Sequence, residues 1–235
     1  MDLHRLSTAV RRLCRAGAMA AAAAWPVACA AVQPVACEPG PAVVAGASRA
    51  EAASACAGAR DAVAFLAPAG ATVPDRIVIE LVAEMPPGLP PGAVGCYAVE
   101  SQRVIVLRFE AFERRRTWMG EPVARPMHRS IVTHEVAHAI SRCHKGPRPL
   151  SLLAHEYLAY VTMLATMAPD LRDRVLAHYP GTGYDHDSQI NILDYVFDPA
   201  AFGAEAYRHW VRHPDGAGFL RRVLEGRAIV EDERD

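Results

Sequence analysis

The spacing of apolar positions along the chain changes period once. From Ser48, the stretch SRAEAASACAGARDAVAFLAP sets apolar side chains at helical intervals behind a capping serine and ends at Pro68 and Gly70, which predicts a first helix. DRIVIELVAEM then alternates through Ile77, Ile79 and Leu81 and is rich in β-branched residues, the pattern of a strand. GCYAVESQRVIVLRF predicts two more strands around a tight turn near Ser101 and Gln102, giving a small antiparallel or mixed sheet. After Pro126 the pattern is helical almost to the end, over residues 129–144, 151–168, a short piece from Leu171, 188–197, 204–212 and 216–226. A sheet with one preceding helix, followed by a mostly helical half, argues for an α+β fold. Residues 31–47 are rich in Ala, Pro, Val and Gly without a period and read as an extended lead-in to a single domain over residues 48–230.

The first thirty residues change this picture, because they read as an address. Met1 to Arg15 carries Arg5, Arg11, Arg12 and Arg15, Ala16 to Ala24 is apolar and mostly alanine, and Ala28-Cys29-Ala30 has the form of a cleavage site. The expectation is a signal peptide over residues 1–30 and a secreted or periplasmic protein. Cys29 and Cys37 each follow small residues as in a lipoprotein signal, but proline stands where that signal has leucine. No later segment offers the roughly 20 uninterrupted apolar residues of a membrane span. Removing the leader leaves about 205 residues, one domain with a real core. The formal net charge of −1 gives no reason to expect a nucleic-acid partner.

Of six cysteines, Cys14 and Cys29 fall in the leader, leaving Cys37, Cys56, Cys96 and Cys143. In an oxidising compartment an even set predicts two disulfides. The expected pairing is Cys37 with Cys56 and Cys96 with Cys143, buried free thiols being the alternative.

The chemistry is concentrated in IVTHEVAHAISRCHKGPRPLSLLAHEYLAY, residues 131–160. Residues i and i+4 share a helix face, so His134 and His138 can aim both imidazoles at one ion. Glu135 sits one step round, able to reach a water on the metal without being a ligand. Such an arrangement suits Zn²⁺, with the carboxylate moving a proton from water to a leaving amine. Ile131, Val132, Val136, Ala137 and Ile140 embed the motif in an apolar helix, which argues against an ordinary surface helix with two histidines.

A catalytic zinc usually takes a third protein ligand and keeps one position open. His144, six residues after His138, gives the metzincin spacing, with Ser141 where that clan has the glycine that turns the chain. Glu156 is the rival. Lys145 to Pro149 breaks the helix, Ser151 can cap a second one, and Glu156 falls in its second turn, where packing against the first helix brings its carboxylate to the histidine pair. His155, beside it, reads as a supporting or surface histidine.

On these residues the sequence resembles the gluzincins, zinc peptidases in which H-E-x-x-H is followed by a ligand glutamate on the next helix. HEVAH looks like the H-E-x-A-H of their aminopeptidase-like branch, and HEYLAY looks like the segment carrying the ligand glutamate. Tyr157 stands where that segment has glycine, Tyr160 stands where the thermolysin-type segment has aspartate, and no aminopeptidase-type G-x-M-E-N stretch precedes the motif. The resemblance, over roughly residues 95–165, implies a zincin-like fold, one Zn²⁺ held by His134, His138 and Glu156, and Glu135 as general base. It also implies a Tyr or His that stabilises the oxyanion; Tyr207 is the first candidate, with Tyr184 and His186 behind it. In YDHDS, Asp187 or Ser188 reads as the cap of the following helix.

The function expected is therefore an exported zinc peptidase acting on a peptide or protein substrate through a water on the metal. The alternatives are a catalytically silent, zinc-stabilised binding or assembly protein, and a metzincin-like hydrolase with His144 as third ligand. RVIVLR, residues 103–108, is the expected edge strand for an extended substrate. Arg114 to Arg116 reads as a solvated basic turn.

Overall fold

The computed structural model describes residues 33–230; the expected leader lies outside them, as do residues 231–235. The chain enters through β1 (Val35–Ala36) and turns back into β2 (Ala42–Ala45) as an antiparallel pair. The extended lead-in is thus taken up into the sheet. Ala42 and Val44 point into the core while Val43 and Ala45 stay half-buried, and β2 pairs in parallel with a later strand.

Helix α1 (Arg49–Leu66) follows. Ser48 accepts a hydrogen bond from the Glu51 amide, and Glu51 reaches back to the Ser48 amide, a reciprocal cap that fixes the first turn. Three strands come next: β3 (Ile77–Val82), β4 (Gly95–Ala98) and β5 (Arg103–Leu107). The sheet order is β1-β2-β3-β5-β4, parallel from β2 through β5 and antiparallel at both edges. Residues 103–107, expected at the edge, are therefore internal, and β4 forms the open edge. The chain leaves β3, runs out to β4 and returns between them. Alternation marks Val104 and Val106 as inward-facing, but it carries no information on which neighbour pairs on either side.

A short helix α2 (Phe109–Glu113) and a small hairpin, β6 (Thr117–Trp118) with β7 (Glu121–Pro122), were not anticipated from the pattern. Arg114 to Arg116 form the exposed link between them.

The helical half contains α3 (Arg125–Cys143), α4 (Leu152–Thr166), α5 (Pro169–Ala177), α6 (Ile192–Phe197), α7 (Pro199–Arg212) and α8 (Gly216–Leu224). The helix expected from residue 188 starts later. Asn191 caps α6 by accepting from the Leu193 and Asp194 amides, while Asp187 turns its carboxylate toward His209, 3.4 Å away.

Helix α3 packs against α1, α4 and strands β4 and β5 and is buried around most of its circumference. Its crossing with α1 is close because residue 58 has no side chain: a Cβ there would lie 2.7 Å from the Arg129 carbonyl oxygen. Thr133 uses that proximity, donating to the Gly58 carbonyl at 3.2 Å. Ala52, Ala55, Ala59 and Ala62 complete the small-residue face of α1. These contacts fix the histidine-bearing helix against the fold before any ligand is considered.

The expected Cys37–Cys56 disulfide is present and ties the entry strand to α1. Cys96 and Cys143, expected as a second bridge, are both free and half-buried. Gly95, next to Cys96 on β4, lies against Glu135. Among the described residues no helix is long and apolar enough to cross a membrane.

Candidate metal centre

Two helices build the centre. On α3, His134 and His138 project from one face with their Nε2 atoms 3.1 Å apart. Helix α4 begins where the 145–149 break predicts. Ser151 caps it, accepting from the Ala154 amide at 3.0 Å, and this places Glu156 in the second turn. Its carboxylate oxygens lie 3.7 Å from His134 Nε2 and 3.6 Å from His138 Nε2. The three ligand-type atoms fall within 4.8 Å of one another.

The residues flanking Glu156 lock α4 in this register. His155 is buried and shares a 2.8 Å hydrogen bond with Ser141 of α3, whose hydroxyl also reaches the His138 carbonyl. Ser141, at the position where a metzincin needs a turn, is thus a fastening between the two helices that carry the trio. Tyr157 is fully buried and its hydroxyl meets His209 Nδ1 of α7 at 2.7 Å. Tyr160 packs edge-on against the His134 ring, with centroids 4.6 Å apart.

The electrostatics fit a cation. Burial pushes His134 down to about 4 and His138 well below the ordinary imidazole value, so both rings are neutral with lone pairs available near pH 7. Burial pushes Glu156 up to about 7, against the opposing pull of the Tyr195 hydroxyl and the Arg142 charge. Glu135 is raised well above the carboxylate range by burial and by the neighbouring Glu156. Two neighbouring buried carboxylates, with no Lys or Arg among the described residues ion-paired to either, are an arrangement that a bound cation would relieve. Zinc–ligand distances of about 2.0–2.1 Å on a tetrahedron require ligand atoms roughly 3.3 Å apart. The observed 3.1, 3.7 and 3.6 Å bracket that value.

Glu135 stays out of the trio, as its place in the motif predicts. It lines an open groove of about 440 Å³ together with His134, His138, Glu156 and residues of the edge strand β4. Gly95 of that strand approaches it so closely that a Cβ at residue 95 would lie 2.7 Å from the Glu135 Oε1 atom.

The oxyanion candidates fare differently. Tyr207 of α7 packs against Trp210 and beneath the Arg172 guanidinium, away from the groove. Tyr184 and His186 line a separate cleft with His209 and Arg212. The tyrosines lining the groove are Tyr97, Tyr160 and Tyr195, and of these Tyr195 of α6 interacts with the Glu156 carboxylate. Sequence spacing offered no signal for Tyr195, which the fold carries in from a separate helix. His144 caps α3 and accepts from the Thr72 amide at 3.1 Å, outside the cluster.

Fold and site together define an α+β protein with a His-His-Glu group, its glutamate buried and its histidines half-buried, that could hold a metal ion and opens into a groove beside a sheet edge. The chain belongs to DUF6639, a family of unknown function whose pattern spans residues 42–233. No curated protein and no solved structure matches it.

Proposed function

We propose that this chain is an exported zinc-dependent peptidase of gluzincin type. The observation that carries the reading is the division of labour among four side chains: His134, His138 and Glu156 converge, while Glu135 stands beside them and faces the groove. His134, His138 and Glu156 would hold one Zn²⁺, which supplies a Lewis acid that lowers the pKa of water to about 7. Glu135 takes a proton from the attacking water and delivers it to the departing amine. Its burial favours the protonated state it must pass through. Tyr195, which lines the groove beside Glu156 where Tyr207 does not, would donate to the developing oxyanion. The open edge of β4 offers main-chain hydrogen bonds to an extended substrate. Export is supported by the leader-like first thirty residues and by the Cys37–Cys56 disulfide.

The test combines metal content with hydrolysis. The mature protein, loaded with zinc and dialysed, should retain about one ion per chain and cleave members of a mixed peptide library. Glu135→Gln should keep the ion and lose cleavage. Persistent hydrolysis in Glu135→Gln, or zinc lost from His144→Ala and kept by Glu156→Ala, refutes the assignment. Stoichiometric zinc with no hydrolysis would make the chain a zinc-stabilised binding protein instead.

A further inference from the structure

The groove is apolar along much of its wall, through Leu89, Pro90, Pro91, Val94 and Val99, and among the described residues the Lys or Arg that lines it is Arg142. The arginine ion pairs among the described residues are those of Arg103, Arg129, Arg172, Arg174, Arg208, Arg212 and Arg227. Arg142 is in none of them, although Glu156 is close enough to feel its charge. A guanidinium at the rim of a groove, with no carboxylate of its own, is free to take one from a ligand. Its planar fork matches a carboxylate in two parallel hydrogen bonds.

Two elements set how far along the groove its backbone stands from the metal centre. On α3 it lies four residues past His138, one helical turn or about 6 Å along the same face. On β4, Gly95 lies against Glu135, and Tyr97, two residues on, is the strand residue that senses the Arg142 charge. An extended chain covers about 3.3 Å per residue. Helix and strand therefore agree on about two residues of extended ligand between the level of the His-His-Glu trio and that of the Arg142 backbone, from which the side chain reaches the groove.

We propose that Arg142 is a carboxylate-recognition point of this groove, so that the ligand is an extended, largely apolar peptide with a free carboxylate about two residues from the metal centre. The proposal rests on the peptidase reading for the peptide nature of the ligand. An added strand can run either way along β4, so the carboxylate is an acidic side chain or the chain's own C-terminus, and the experiment separates the two.

The protein used is the mature chain carrying Glu135→Gln and loaded with zinc, so that peptide is not consumed. The probes are fluorescent apolar peptides in matched pairs: Glu against Gln at each position, and a free C-terminus against the amide. The readout is the ratio of Kd within each pair, in which any general change in affinity cancels. At least one pair should show about a tenfold preference for the carboxylate, about 1.4 kcal/mol, and that pair identifies the source. Adding Arg142→Gln should bring the ratio to about one.

A ratio near one in the parent protein, or a ratio unchanged by Arg142→Gln, overturns the proposal, as does failure of every peptide to bind. The preference without hydrolysis in the wild type leaves Arg142 standing and removes the peptidase reading. Hydrolysis without the preference does the reverse.

Discussion

Replacing Glu156 with Gln should stabilise the protein in chelator and destabilise it in zinc, an inversion that isolates the electrostatics of the centre. The folded-state pKa of Glu156 is raised from 4.5 to about 7 by burial, so the folded chain binds this proton more tightly than the unfolded chain does. The contribution of Glu156 to stability is then fully present below pH 4.5 and is lost as pH rises through about 7. At 1.36 kcal/mol per pH unit the loss reaches up to about 3 kcal/mol by pH 8. The neighbouring His134, pushed down to about 4, contributes with the opposite sign as pH falls below its unfolded value. The whole-protein pH profile therefore blends the two, and the difference between wild type and Glu156→Gln is the quantity to read.

Gln keeps the shape of the side chain and cannot ionise. Urea unfolding in chelator, followed from pH 4.5 to pH 8, should show the variant gaining on the wild type as pH rises, toward about 3 kcal/mol. With excess zinc the order should reverse, because only the wild type retains the carboxylate ligand and the binding energy linked to it. A flat difference across pH in chelator would mean that the Glu156 carboxylate is not held in the buried environment described. The same order in zinc as in chelator would mean that Glu156 does not bind the metal.

Gly95→Ala should lower hydrolysis by about 10²-fold, because the new Cβ displaces the Glu135 carboxylate and misplacement by about 1 Å has that cost; assay at matched zinc content checks it. Tyr195→Phe should reduce kcat by about 10²- to 10³-fold, the range for removing one oxyanion donor, while Tyr207→Phe, away from the groove, should change it by less than about twofold. Replacing Cys37 and Cys56 by Ser should cost about 3 kcal/mol in urea unfolding, from the loop entropy of a 19-residue separation. An unchanged midpoint would contradict the bridge.

The legible part of the site was the part written in short-range spacing. His134 and His138 share a face because they are four apart. Glu156 reaches them because Ser151 starts a helix at the right offset after the 145–149 break. Local rules also placed α1 through its Ser48 cap. Features decided by tertiary neighbours were not legible. Strands β4 and β5 have similar patterns, and only the returning chain makes β4 the edge. Tyr195 and Tyr207 are both tyrosines on late helices, and only the packing of α6 beside Glu156 separates them. Cys96 and Cys143 made an even count with the first pair, but counting carries no distances, and the fold leaves both as free thiols.

The contact between Gly58 and Thr133 links residues 75 positions apart in sequence, one of them adjacent to His134. It imposes a rule of inheritance. A methyl group at position 58 meets the Arg129 carbonyl, the Val132 Cβ and the Thr133 hydroxyl together, and backbone cannot be trimmed by mutation to receive it. Among descendants of this sequence, a side chain at position 58 should appear only where α1 and α3 have moved apart, or in lineages that have lost the histidine pair.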